Sequence, residues 1–153
     1  MENTEEIKTE EIITSDEKTL SLFCHLSMIL GGILVPIIIW AIQKDKSKFV
    51  RFHALQSIFY HLAYSVIIGF FVAFFMIIFF GSLGFHTSGY YRHSDGLPEY
   101  MIIISILFGA VIMIFVLAGI SYGIYLAVKS FQGEKVRVPI LGKIIYERVY
   151  GKA

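Results

Sequence analysis

Three long stretches without a single Asp, Glu, Lys or Arg, residues 19–43, 54–91 and 100–128, alternate along the chain with short polar segments. A helix that crosses the hydrocarbon core of a bilayer needs about 20 consecutive apolar residues, so the pattern predicts three transmembrane helices. The first covers 20–42 and the third 101–128. The second run is too long for one perpendicular crossing, which predicts an interfacial turn or two and then a tilted span to about Phe80. Thr14 and Glu17 have the spacing of a capping box, a hydroxyl and a carboxylate that serve each other's backbone N–H groups, and set the first helix start near Ser15 or Asp16. Residues 1–18 form an acidic polar arm. The arm has no basic stretch before the apolar run and no small-residue cleavage site after it, and so does not read as a signal peptide.

Within 20–42, Gly31, Gly32 and Pro36 weaken the backbone ladder at mid-membrane, which predicts a kink, and Trp40 is placed as an anchor at headgroup level. A basic hinge follows, Lys44, Lys46, Lys48 and Arg51 against one acid, Asp45. The hinge and the tail after Val128 hold ten Lys and Arg, the remaining segments three. By the positive-inside rule the hinge and the C-terminus face the cytoplasm, and with three crossings the N-terminus faces out. A re-entrant first segment would instead keep the N-terminus inside. Residues 81–99, with four glycines and a proline, read as an extracytoplasmic loop that carries His86 and His93. In the tail, 129–153, the chain turns at Gly133 and Pro139 is placed to open a short helix. Ile140, Leu141, Ile144, Ile145 and Val149 share one face of it, opposed by Lys143, Glu147 and Lys152, as in a helix lying on an anionic membrane surface. The expected fold is all-α, an integral membrane protein of three transmembrane helices (19–128) followed by a cytoplasmic amphipathic helix.

Composition supports the membrane class, with 56% hydrophobic and 16% charged residues against about 25% charged in soluble domains. A net charge of +1 with no basic groove argues against a nucleic-acid partner. The single Cys24 excludes an intrachain disulfide. His53, Gln56, Ser57, Tyr60, His61 and Tyr64 recur at offsets of three, four, seven, eight and eleven, which aligns them as a polar stripe on one face of an apolar helix. Polar side chains in a span face a bundle interior or a wet cavity, or hold helices together. Gly119 and Gly123, Ser27 and Gly31, and Gly69 and Ala73 have the spacing that allows close helix approach. The spans contain no carboxylate, which argues against an enzyme. No pair of His or Cys has the tight spacing of a metal site, so neither metal nor other cofactor is expected. The competing reading is a His-dependent metal-handling protein or enzyme built on His25, His53 and His61.

Several residues have a family pattern: His25-Leu26-Ser27, Gly31-Gly32, Ile37-Ile38-Ile39-Trp40, Lys44-Asp45, Phe49-Val50, His53-Ala54 and Gln56, then Ala127, Lys129, Gly133 and Pro139. Across roughly 16–61 and 127–141 the chain resembles a family of small bacterial membrane proteins of undefined role, itself similar to the Tic-twenty type subunit of the chloroplast inner-envelope translocon. The resemblance implies a helical membrane fold and, by analogy, an accessory role in transport or protein translocation. The functional expectation is a non-enzymatic component of the inner (plasma) membrane that assembles with itself or with other membrane proteins. A final expectation concerns the hinge: His53 and Gln56 are placed to satisfy polar groups freed where the first helix breaks, around 31–36.

Overall fold

The computed structural model describes residues 12–30, 32–85 and 99–151, with the backbone alone at Leu30 and at 83–85. Among these residues it has five helices and no strand: α1 (Ser15–Leu30), α2 (Leu34–Gln43), α3 (Lys48–Phe85), α4 (Glu99–Phe131) and α5 (Leu141–Tyr150). The arm at 1–11, Gly31, the histidines His86 and His93, and Lys152 lie outside the described residues.

Among the described residues two helices, where three were expected, are long and apolar enough to cross a membrane, over Lys48–Ser82 and Glu99–Phe131. They form an antiparallel pair. Phe75 stacks on Phe108 with ring centroids 4.1 Å apart, and nearer the other end the Tyr60 ring lies 5.9 Å from that of Tyr122. At 1.5 Å per residue α3 is about 57 Å long and α4 about 50 Å, well beyond a hydrocarbon core of about 30 Å.

The segment 20–42, expected as one kinked crossing, is instead a helical hairpin. The Thr14–Glu17 capping box forms, with Thr14 N–H donating to Glu17 Oε2 at 2.8 Å and Glu17 N–H to Thr14 Oγ1 at 3.3 Å, and it starts α1 at Ser15. At the other end Gly32 takes φ +60°, and its N–H reaches back to the Ser27 carbonyl at 2.6 Å. Only a residue without Cβ enters that left-handed region at low cost, so the chain can reverse here. Pro36 then falls in the first turn of α2, where a missing N–H breaks no intrahelical bond. It serves to begin a helix, not to bend one.

Both feet of the hairpin stand at the hinge. Lys18 approaches the Gly133 turn after α4, and Met28, ten residues later, lies beside Gly123, so α1 runs antiparallel to α4. Glu17 is held below the usual carboxylate range chiefly by the Ser47 hydroxyl of the hinge, with the Thr14 bonds adding to it against a partial desolvation. The start of α1, the hinge and the tail therefore share one end of the molecule, which overturns the reading of a first span with its N-terminus opposite the hinge. Cys24 of α1, Ile39 of α2 and Phe49, Val50 and Ala54 of α3 form the core of this end.

The tail begins with a Schellman turn: Gly133 at φ +86° donates to Ser130 O at 2.9 Å, and Glu134 N–H donates to Lys129 O at 3.1 Å. Pro139 and Ile140 form a further turn, and α5 starts only at Leu141. The apolar face expected for α5 is divided. Ile145 and Val149, with Leu141, pack on Phe52 of α3, whereas Ile140 is 85% and Ile144 61% exposed. Two successive turns at Val138 and Pro139 rotate Ile140 out of helical phase, so it cannot join the inner face.

Candidate functional site

The polar stripe of α3 lies at the centre of the hub built by the hairpin, the hinge-side halves of α3 and α4, and the tail. His53, Gln56, Ser57 and His61 are all buried. His25 Nε2 of α1 and His53 Nδ1 are 3.1 Å apart, one ring donating and the other accepting. Phe49 and Phe52 set their edges against His53 at centroid distances of 4.6 and 5.0 Å. Two hydroxyls, Ser27 Oγ and Ser57 Oγ, donate to the Cys24 carbonyl. Ser27 has thus committed its one proton, so at 3.2 Å it accepts from His61 Nε2–H, which fixes the tautomer of that ring.

Gln56 does not reach the break in the hairpin. Its amide spans to the tail, Nε2 donating to Val136 O at 3.0 Å and Oε1 accepting from Val138 N–H at 3.2 Å. A carboxamide thereby pairs with an extended backbone as a neighbouring strand would. His53 likewise bonds within α1 and not at 31–36, so the expected coupling of these two residues to the helix break is replaced by coupling to mid-α1 and to the tail.

Tyr60 and Tyr64 complete the stripe by crossing to α4, where their hydroxyls donate to Gly119 O at 3.1 Å and Phe115 O at 2.8 Å. Gly119 has its own chain over it: a Cβ there would lie 2.6 Å from Tyr64 Cε2. Gly123 sits against Met28 Sδ and the His25 carbonyl, at 3.5 and 3.7 Å from where a Cβ would be. Ser27 is buried in the hub, while Gly69 and Ala73 are exposed, with nothing within 4 Å of a Cβ at Gly69.

Every polar side chain of the stripe is engaged in a bond inside the chain, and most acceptors are backbone carbonyls. Such an arrangement locks four segments together. His25 and His53 form a pair, but among the described residues no three His, Cys, Asp or Glu side chains converge as a metal site would require. The hinge is different in kind. Lys44, Asp45, Lys46, Ser47, Lys48 and Arg51 line an open cavity of about 340 Å³, and Lys44 Nζ stands 5.8 Å from the centre of the Trp40 ring.

Sequence reasoning missed Phe52, which seats α5, and the carbonyls of Cys24, Phe115 and Gly119, which receive the stripe. Phe52 has a signal in the sequence, an aromatic next to His53 on a helix that must bury something. The carbonyls have none.

Compared with protein-family models, residues 16–145 match the magnetosome magnetite crystal formation protein family, MamF/MmsF. No curated protein and no solved structure matches the chain. The resemblance to the Tic-twenty type family is thereby corrected. The matching family spans both blocks on which that resemblance rested and the helices between them, where the only shared trait was apolarity.

Proposed function

The chain belongs to the MamF/MmsF family of magnetosome magnetite crystal formation proteins, and from that premise we propose that it is a non-enzymatic protein of the magnetosome membrane that takes part in forming the magnetite crystal. The observation that carries this reading is the family match over 16–145, which includes the whole hub. The structure supports it with two long helices whose side chains beyond the hub point outward and are apolar, such as Phe70, Phe74 and Ile77 on α3 and Ile103, Ile106 and Ile114 on α4. Lipid is the medium that such surfaces require.

In this proposal α3 and α4 cross the bilayer, and the hairpin of α1 and α2 enters it from the hinge side without crossing. All ten Lys and Arg among the described residues then lie at the hub end, which the positive-inside rule assigns to the cytoplasm together with the tail. Partners are lipid and copies of the chain or other membrane proteins. These meet the outer faces of α3 and α4, because Tyr64 and Met28 already cover Gly119 and Gly123.

The test is deletion in a magnetite-forming host, with crystals sized by electron microscopy and the tagged protein traced by fractionation. Altered crystal size or number, restored by the wild-type chain, is the expected result. Unchanged crystals, or a protein absent from the magnetosome fraction, would remove the proposal.

A further inference from the structure

Four cations meet at the turn between α2 and α3, Lys44, Lys46, Lys48 and Arg51, with Asp45 the one acid among them. None is in an ion pair: the one salt bridge among the described residues joins Lys129 to Glu134. Like charges this close repel, so the turn favours any anion that enters it. The first turn of α3 adds to the field through the positive end of its axis dipole. Ser47 caps Val50 N–H at 3.1 Å and so holds the turn in shape. Arg51 keeps its Nε–H out of contact with solvent and without an acceptor, an arrangement that costs stability until an anion supplies one. Together these groups line the open cavity of about 340 Å³, ample for a phosphate group.

The surroundings select among phosphates. Leading away from the turn along α2, Ile42, Ile38 and Leu34 expose their side chains, and Trp40 stands half-buried between them and the hinge. An apolar flank ending in a cationic cup matches a molecule with the same division. We propose that the 44–51 turn binds the headgroup phosphate of an anionic phospholipid, whose acyl chains lie along the outer face of α2. Bound there, the lipid would tie the hairpin to the leaflet on the hinge side.

The experiment uses the full chain in detergent, stripped of lipid and titrated with phosphatidylglycerol or phosphatidylcholine, with bound lipid read by native mass spectrometry. Phosphatidylglycerol should bind in preference. Each cation near an anionic headgroup contributes roughly five-fold, so Lys46→Gln with Lys48→Gln should weaken that binding on the order of twenty-fold. Lys143→Gln with Arg148→Gln removes the same charge from exposed positions of α5 and should leave it unchanged. Circular dichroism checks folding, and the exposed pair Lys44→Gln with Lys46→Gln replaces the first variant should that one be unfolded. Wild-type affinity in the hinge variants, or equal losses in hinge and tail variants, would overturn the site. Displacement of the lipid by an equal concentration of inorganic phosphate would show that a free anion occupies the turn and overturn the lipid assignment.

Discussion

Gln56 holds two backbone groups, Val136 O and Val138 N–H, that lie 80 and 82 residues away. Replacing it with Leu keeps the volume but leaves the buried Val138 N–H unpaired, at about 1–3 kcal/mol, and the part-buried Val136 carbonyl without its donor. Gln56→Leu should therefore free the tail while the long helices stay paired, and trypsin should cut at Lys135 and Arg137 faster than in wild type. Equal cleavage rates would show that α5 alone seats the tail. At Glu17 the sign of a pH effect can be fixed. Its folded pKa lies below the ordinary value of 4.5 because of the Ser47 hydroxyl, so its contribution is complete above that value and is lost as pH falls through the folded one. Protection of the first turn of α1 against hydrogen exchange, taken relative to the intrinsic rate at each pH, should fall as pH drops below the ordinary carboxylate value, and Glu17→Gln should abolish that pH dependence. The stripe itself was legible from spacing, since the six residues share a face. Its partners were not, because a carbonyl acceptor such as Cys24 O or Gly119 O is present at every residue and leaves no mark in the sequence.

Helix α5 depends on a turn with strain on one side and no spare room on the other. Ile140 takes φ 67°, a region that a β-branched residue enters only at a cost of about 1–2 kcal/mol, and its side chain is exposed. Two residues on, a Cβ at Gly142 would lie 2.7 Å from the Arg137 backbone, which cannot swing aside. Substitutions so close together should act in opposite directions: Ile140→Gly relieves strain and should slow proteolysis of the tail, whereas Gly142→Ala should undock α5 and speed it. Gly123→Ala is the reference, because its Cβ meets only ordinary contacts at 3.5 Å or more and should change little. The same physics explains what could be read of α1 and α2. Gly31, Gly32 and Pro36 announced an interruption, yet composition alone does not distinguish a bent crossing from a reversal. The reversal depends on Gly32 at φ +60° and on Cys24, Ile39 and Val50 meeting in one core, a contact among three segments that no local pattern encodes.

At the scale of the whole molecule, helix length and surface chemistry support the proposed topology. The pair α3 and α4 is longer than a bilayer is thick, and in the proposed topology the excess lies at the hinge end, where the hairpin packs beside it and buries His53, Gln56, Ser57 and His61. The outer face of α2 is itself apolar, with Leu34, Ile38 and Ile42 exposed, which fits the proposed entry of the hairpin into the bilayer. In the proposed topology, two crossings and one re-entrant hairpin place the start of α1, the hinge and α5 on one side and the start of α4 on the other. Single cysteines at Thr14, Ser47 and Glu147, in a Cys24→Ala background, should all react with an impermeant maleimide in sealed vesicles of the magnetosome fraction, whose outer surface is the cytoplasmic one, while one at Glu99 should react only after detergent opens them. The decisive probe is Thr14. Three crossings would give it the accessibility of Glu99; a re-entrant hairpin gives it that of Ser47, because Glu17, three residues on, lies within reach of the Ser47 hydroxyl. Protection of Thr14 in sealed vesicles together with Glu99 would require α1 and α2 to straighten into one helix in the bilayer, separating Cys24 from Ile39 and breaking the hub that the stripe holds closed.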